Sequence, residues 1–321
     1  MKILLNWTGR NGALVVIAGV LIGLFIPHLA DTARPYLAVA MFAFTFGSFL
    51  KFDPSALRKD IENPRAVALI VLWATLGVPL VVIAALSVLR PGPDLSQGLL
   101  FWALVPVSPA CVAFAAILRL NITVALLATV ASTVLSPLSI PYLAALAGGY
   151  TLMVDPLASC LHLGLLIGGA ILTAVAAKRF AGGFIRANPE ATTGIAVSAM
   201  FLAGMGSMHG MQAHLIAQPR TALTFIALSY GVLFLAEIVG SCLFWRFGRT
   251  AALTAGLLSG TRTITLAWVV LGDTILPLAD LFLASSMIAK YTAPGLTKWL
   301  LTRFLDTERP VMPVAPAMKH T

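Results

Sequence analysis

The fold is decided by two short polar stretches, PVSPAC at residues 106–111 and SGTRT at residues 259–263, which interrupt otherwise apolar segments. The first is followed by Asn121 and the second by Asp273, and prolines follow in both cases. Paired interruptions at corresponding places in the two halves of a membrane chain are typical of the binding site in a transporter with inverted repeats. We therefore expect a substrate or ion site where the two stretches meet.

Composition places the chain in a membrane. It is 59% hydrophobic and 10% charged, whereas a soluble domain has about 25% charged residues. Apolar runs of about 20 residues, the length that crosses a bilayer, predict an all-α integral membrane protein with ten transmembrane helices. The predicted spans are residues 12–30, 36–50, 66–89, 97–118, 122–148, 157–177, 194–215, 221–244, 251–271 and 276–300. The short loops that remain leave no room for a soluble catalytic or nucleic-acid-binding domain.

The net charge of +9 reflects topology rather than a ligand. The loops on one side of the predicted spans hold Arg34, Arg90 and Arg220. The other side holds Lys2, Arg10, Lys51, Arg58, Lys59, Arg65, Arg119, Lys178, Arg179, Arg186, Arg246, Arg249, Lys298, Arg303, Arg309 and Lys319. Basic residues concentrate in cytoplasmic loops, so we expect both termini in the cytoplasm, in a cell (inner) membrane, with an even number of spans.

The ten spans form a single polytopic membrane domain over residues 1–321. Repeat one covers about residues 12–148, repeat two covers about residues 157–300, and residues 301–321 form a cytoplasmic tail. Because five is odd, the second five-helix repeat begins with inverted topology, the arrangement expected of inverted repeats.

The two polar stretches are expected to break spans 4 and 9 and to cross there. Pro106 and Pro109 each remove a backbone hydrogen bond from span 4, and in lipid the freed carbonyls need a partner from protein, water or ligand. Ser108 adds a hydroxyl at this break. Gly260 supplies flexibility in span 9, with Thr261 and Thr263 beside it. We take Ser108, Thr261 and Thr263 as candidate substrate- or ion-binding residues.

The residues from Pro106 to Pro141 resemble spans 4 and 5 of the bile acid:sodium symporter family. They share with it a break, a polar half-helix, a corner at Leu120-Asn121 and a helix that carries Thr129, Ser132, Thr133, Pro137 and Pro141. Residues 260–267 resemble the family's span 9. The resemblance implies a ten-span secondary transporter of a small or amphipathic organic anion that works by alternating access. It adds Cys111, Asn121, Thr129 and Ser132 to the candidate site.

The resemblance fails at the sodium ligands. In the family, oxygen ligands from spans 4, 5 and 9 hold sodium, but Cys111 and Val112, Ala125, Leu258 and Arg262 occupy those positions here, and only Thr129 remains. A hard cation needs oxygen ligands, and a guanidinium would repel it. The sequence therefore argues against sodium and indicates no other cofactor.

Arg262 allows three interpretations. It could replace the sodium ions as a tethered cation, bind the carboxylate of an anionic substrate, or pair with a buried acid. Glu237 and Lys290 lie at similar predicted depths at 1.5 Å per residue, so they are expected to pair with each other and leave Arg262 free. Glu237 is also the candidate for a protonatable coupling group, since burial disfavours its charged form.

Two other functions compete with transport of an organic anion. Pro109-Ala110-Cys111 resembles the Pro-Cys of arsenite efflux permeases on the same fold, and a non-transporting membrane sensor is a further alternative. The sequence has no His-Glu-x-x-His, no Gly-x-Ser-x-Gly and no aspartate-rich prenyl-diphosphate motif, so we expect no enzyme. The substrate, the direction of transport, the coupling ion and the oligomeric state are open at this point.

Two features lie away from the breaks. Gly164 and Gly168, and also Gly206 and Gly210, have the small-xxx-small spacing of closely packed membrane helices. Asp280 lies about one turn inside span 10 and is expected at a solvated helix end.

Overall fold

The computed structural model describes residues 2–51, 64–148 and 155–304, and the described part of the chain is helical. The α-helices are α1 Lys2–Arg10, α2 Gly12–Phe25, α3 Pro27–Ala33, α4 Leu37–Lys51, α5 Pro64–Leu72, α6 Val78–Leu89, α7 Pro93–Leu104, α8 Ala110–Ile117, α9 Ile122–Ala147, α10 Pro156–Leu163, α11 Gly169–Ala187, α12 Pro189–Gly206, α13 Met211–Ala217, α14 Pro219–Leu243, α15 Arg249–Gly260, α16 Thr265–Leu271 and α17 Pro277–Phe304. Short π-helical turns, Trp73–Gly77 and Gly164–Gly168, join α5 to α6 and α10 to α11.

Within the described residues, six helical segments are long and apolar enough to cross a membrane by length and composition. They are Pro27–Leu50, Pro64–Leu89, Ile122–Ala147, Pro156–Ile185, Pro189–Ala217 and Pro219–Leu243. Large apolar side chains such as Leu172 and Leu235 point outward and are 71% and 62% exposed, as expected of lipid-facing surfaces. The fold class is therefore an all-α membrane protein.

Two further helical rods are interrupted, and the interruptions fall where the sequence predicts them. α7 ends at Leu104, Val105 is extended, and α8 begins at Ala110. α15 ends at Gly260, Thr261 is extended, and α16 begins at Thr265. Pro109 has no N–H to donate to the Val105 carbonyl, which removes one α-helical hydrogen bond at the first break.

All of the named helices except α10 and α13 fall into two groups. We call α1–α4, α11 and α12 the scaffold group, since α12 packs along α1, α2 and α4 and α11 packs on α4. We call α5–α9 and α14–α17 the crossing group, because these helices pack around the two breaks. Glycines allow the close approaches within each group: Gly194 faces the Leu5 carbonyl oxygen, and Gly256 faces that of Glu237.

The expected glycine contacts form at only one of the four predicted positions. A Cβ on Gly206 would lie 3.1 Å from the Ala33 carbonyl oxygen, so this glycine does permit close packing. Among the described residues, no atom lies within 4 Å of such a Cβ on Gly164, Gly168 or Gly210. Gly164 and Gly168 instead bound a π-helical turn, and Gly210 has a φ of +71°.

Some sequence predictions lie outside the described residues. The predicted cytoplasmic tail, residues 301–321, is described only to Phe304, and the predicted loop after Lys51 is described again from Pro64.

Candidate substrate and ion site at the crossed helices

The two breaks meet in a short antiparallel bridge in which Val107 lies opposite Arg262. The Thr263 N–H donates to the Pro106 carbonyl at 2.8 Å, and the Ser108 N–H donates to the Thr261 carbonyl at 3.1 Å. Helices that stop at this point leave backbone groups without intrahelical partners. Each interrupted helix therefore supplies hydrogen-bond partners for the other.

Side chains complete the bridge around Val107. Its N–H donates to the Ser132 hydroxyl at 3.1 Å, and its carbonyl accepts from the Thr263 hydroxyl at 3.2 Å. The Thr129 hydroxyl donates to its own helix at the Ala125 carbonyl at 2.8 Å and lies 3.4 Å from the Ser108 carbonyl. Predicted site residues Ser108, Thr129, Ser132 and Thr263 thus come together, and they do so by holding the backbone.

Cys111 joins the same contact. Its thiol is fully buried and lies 3.6 Å from the Thr261 carbonyl oxygen, which also accepts from Ser108. The other two cysteines are not buried with it: Cys160 is half-buried and Cys242 is exposed. Cys111 therefore acts as a small core residue with a weak hydrogen bond.

The side chain of Arg262 is 1% exposed and lies on three backbone carbonyl oxygens. Nη1 donates to Ala74 at 2.7 Å and to Val105 at 3.4 Å, and Nε donates to Ser259 at 3.2 Å. Within the described residues no carboxylate lies within ion-pair distance of the guanidinium. Its Nη2 has no hydrogen-bond partner there.

All three carbonyl oxygens lack the backbone N–H donor that they would have in a continuous α-helix. The Val78 N–H, which would reach the Ala74 carbonyl in an α-helix, donates instead to Trp73, and Pro79 has no N–H. The Ala74 carbonyl is therefore left without a backbone donor.

The other two carbonyls lose their donors at the breaks. Val105 faces Pro109, which has no N–H, and Ser259 loses the Thr263 N–H to Pro106. A buried carbonyl without a partner costs about 1–3 kcal/mol. The Arg262 guanidinium thus donates to all three carbonyl oxygens, which lack backbone donors because of Pro79, Pro109 and the helix crossing.

Glu237 and Lys290 do not form the expected pair. Among the described residues, neither side chain has an ion-pair or hydrogen-bond partner, and Glu237 is half-buried. The Glu237 Cγ passes close to Gly260, 2.8 Å from the place a Cβ there would take. The Lys290 ammonium instead lies 4.9 Å from the centre of the Tyr291 ring. The pairing of Arg262 with Glu237 is likewise not formed.

A small cavity lies beside the crossing, between the two helix groups. Its volume is about 10 Å³, on the order of the space that one water needs. The scaffold group contributes an apolar wall, and the crossing group contributes polar side chains. The lining residues are Ala40, Met41, Phe44, Met200 and Ala203 from the scaffold group, and Thr263, Thr265, Lys290 and Tyr291 from the crossing group.

One ion pair connects the two groups at the end of α17. Arg34, which follows α3, donates through Nη2 to both Asp280 oxygens at 2.9 and 3.0 Å, and both side chains are 20% exposed. The Trp268 indole also donates to Asp280, and the Arg34 guanidinium lies 5.1 Å from the centre of the Trp268 ring. The expectation of a solvated Asp280 is wrong, because a residue distant in sequence supplies a counter-charge.

Asn121 has a structural role away from the crossing. Its side chain accepts from the Val124 N–H at 2.9 Å and caps α9, and its N–H donates to the Thr254 hydroxyl at 3.2 Å. Thr129 lies eight residues further along α9, about 12 Å away at 1.5 Å per residue.

Sequence reasoning missed the hydrogen-bond acceptors of Arg262 and part of the cavity lining. Ala74 accepts the shortest hydrogen bond from Arg262, and Pro79 helps to leave that carbonyl open. The available signal was a proline inside an apolar span. Thr265 and Tyr291 line the cavity, and only their adjacency to the second break and to Lys290 could have indicated them.

No protein-family model matches the chain, and no curated protein matches it either.

Proposed function

We propose that this protein is a ten-span secondary transporter of a small or amphipathic organic anion, with two inverted five-helix repeats and an alternating-access mechanism. One observation carries the proposal: two helices, far apart in sequence, are interrupted at corresponding places and bond to each other through their breaks. In membranes, discontinuous helices of this kind form substrate and ion sites at a repeat interface.

The count of ten spans combines several kinds of helix. It adds to the six long apolar segments the shorter apolar helix Leu14–Phe25, the two interrupted rods and α17. The distribution of basic residues supports an even count with cytoplasmic termini, and the resemblance of residues 106–141 and 260–267 to bile acid:sodium symporters supports the same architecture.

The cavity supports alternating access. It lies between the scaffold and crossing groups, each held together by close glycine contacts. At about 10 Å³ it is closed to an organic anion, so a substrate enters only when the groups separate. Movement of two rigid bodies about a fixed site is the expected transport step in proteins of this kind.

Transport in this proposal does not require sodium. The guanidinium of Arg262 already bonds the carbonyl oxygens that the two breaks and the π-helical turn leave open, and the Thr263 and Ser132 hydroxyls bond the backbone of Val107. Of the three interpretations of Arg262, a tethered cation in place of sodium is the one that these contacts favour.

The test is flux into liposomes reconstituted with purified protein. Uptake of labelled monocarboxylates from benzoate to cholate would be measured with an inward sodium gradient and with choline in its place. We expect saturable uptake above empty liposomes at equal rates under both conditions. Absence of flux for every anion would refute transport of this class, and stimulation by sodium would refute the role assigned to Arg262.

The same liposomes test the alternatives. Arsenite flux without organic-anion flux would favour the arsenite permease, for which Cys111 supplies one buried thiol. No flux of either compound would favour a sensor.

A further inference from the structure

We infer that Lys290, rather than Arg262, is the positive charge that binds the substrate anion, and that the ligand is an amphipathic monocarboxylate seated between Lys290 and the apolar wall of the scaffold group. This inference rests on the proposed transport function and names the ligand class of the same site.

Arg262 and Lys290 differ in what already surrounds their charges. The Arg262 guanidinium lies on three carbonyl oxygens and does not line the cavity. Lys290 lines the cavity and is 3% exposed, and within the described ranges its ammonium forms no hydrogen bond and no ion pair. The contact that its charge does make there is with the Tyr291 ring, whose centre lies 4.9 Å away.

A buried ammonium without an acceptor is costly, and a cation–π contact returns only part of that cost. An anion in the cavity would supply what is missing. Lys290 is also the one charged residue among the described residues that line the cavity, so an anion there meets no competing carboxylate.

Two more donors belong to residues of the same lining. Thr265 and Tyr291 line the cavity, and their hydroxyls have no hydrogen-bond partner in the part of the chain that the structure describes. Together with the ammonium they provide three donors, which suits the two oxygens of a carboxylate.

The opposite wall determines the rest of the ligand. Met41, Phe44 and Met200 present two thioethers and an aromatic ring, and methionine adapts its shape to apolar ligands. A molecule with one charged end and an apolar body fits both walls once the helix groups separate.

The test uses purified full-length protein in detergent and a panel of monocarboxylates (benzoate, decanoate and cholate), each paired with its neutral primary amide. Ligand binding is scored as a shift in unfolding temperature and converted to Kd by titration. The variants are Lys290→Gln, Lys290→Arg and, as matched control, Lys298→Gln, because Lys298 is an exposed lysine on the same helix.

We expect at least one carboxylate, and not its amide, to stabilise the wild type. Lys290→Gln should weaken that binding about 10- to 100-fold, the size of a lost charge-assisted hydrogen bond, while Lys290→Arg retains part of it and Lys298→Gln all of it. Without ligand, Lys290→Gln should be as stable as the wild type or more so, because it removes an uncompensated charge.

Three results would overturn the assignment: unchanged carboxylate binding in Lys290→Gln, a marked loss of ligand-free stability in that variant, or no carboxylate binding to the wild type. Failure of transport is a separate outcome. A wild type that binds the carboxylate at Lys290 but does not carry it into liposomes would refute the proposed function and leave the binding site standing.

Discussion

The role of Arg262 can be measured through its coupling to Pro79, an uncharged residue that is distant from it in sequence. Arg262→Met forfeits the bonds to Ala74 at 2.7 Å and to Ser259 at 3.2 Å, each worth about 1.5–3 kcal/mol as a bond to a charged group. The same change removes a buried guanidinium, whose desolvation costs several kcal/mol. Because these two contributions oppose each other, the stability of Arg262→Met alone does not show whether the hydrogen bonds of Arg262 stabilise the protein.

A double-mutant cycle isolates the bond to Ala74. Pro79→Ala introduces an N–H just over one turn after Ala74, which can donate to the carbonyl that Arg262 now serves. A backbone hydrogen bond of this kind contributes about 0.5–1.5 kcal/mol. We therefore expect Arg262→Met to cost about 1 kcal/mol less in the Pro79→Ala background than in the wild-type background.

The assay is unfolding of detergent-solubilised protein, followed for the wild type, both single variants and the double variant. Pro137→Ala provides the matched control, since Pro137 is another proline inside a membrane helix and the Thr133 carbonyl one turn before it accepts from Ser136. No coupling to Arg262 is expected there. If Arg262→Met costs the same with and without the Pro79→Ala change, within about 0.5 kcal/mol, the argument from the orphaned carbonyl is wrong.

Two further predictions concern how the helix groups are held. Asp280→Asn should weaken the contact with Arg34 and favour separation of the two helix groups at that end. The separation would be measured as faster alkylation of a cysteine introduced at Thr265. An unchanged alkylation rate would show that this ion pair does not restrain the groups. Gly194→Ala should lower the unfolding temperature because the added Cβ would overlap the Leu5 carbonyl oxygen. Gly231→Ala should not, because among the described residues no atom lies within 4 Å of a Cβ there. Equal effects of the two changes would contradict the close packing of α12 on α1.

The sequence predicted those features that arise from local chemistry. Pro109 removes a backbone hydrogen bond wherever it stands, because the missing N–H is a property of the residue. The meeting of the two breaks was also predictable, since their matching positions in two halves of the chain indicated a shared site. Residue type was enough to predict the first feature, and position in the sequence was enough to predict the second.

Partners that depend on the direction a side chain takes around its helix were harder to predict. Counting residues from the end of a span gave Glu237 and Lys290 the same depth, but equal depth does not make two side chains face each other. The glycine pair Gly164 and Gly168 failed for a similar reason, because spacing identifies a helix face and not whether a neighbour covers it. The acceptors of Arg262 were missed because they are backbone carbonyls, which every residue has. The Ala74 carbonyl is open because of the π-helical turn at Trp73–Gly77 together with Pro79.

A covalently attached cation changes how the crossing can be regulated. A bound ion stabilises a folded site in proportion to the logarithm of its concentration, so a crossing held by sodium would tighten or loosen with the sodium gradient. In the proposed function Arg262 takes the place of sodium and cannot dissociate, so the crossing at Val107 and Arg262 would not sense that gradient. The charge at the cavity that still lacks a partner is Lys290, as far as the described residues go. In the proposed function, changes in occupancy would be felt where α17 faces α4 and α12, and the crossing would stay intact within its own helix group.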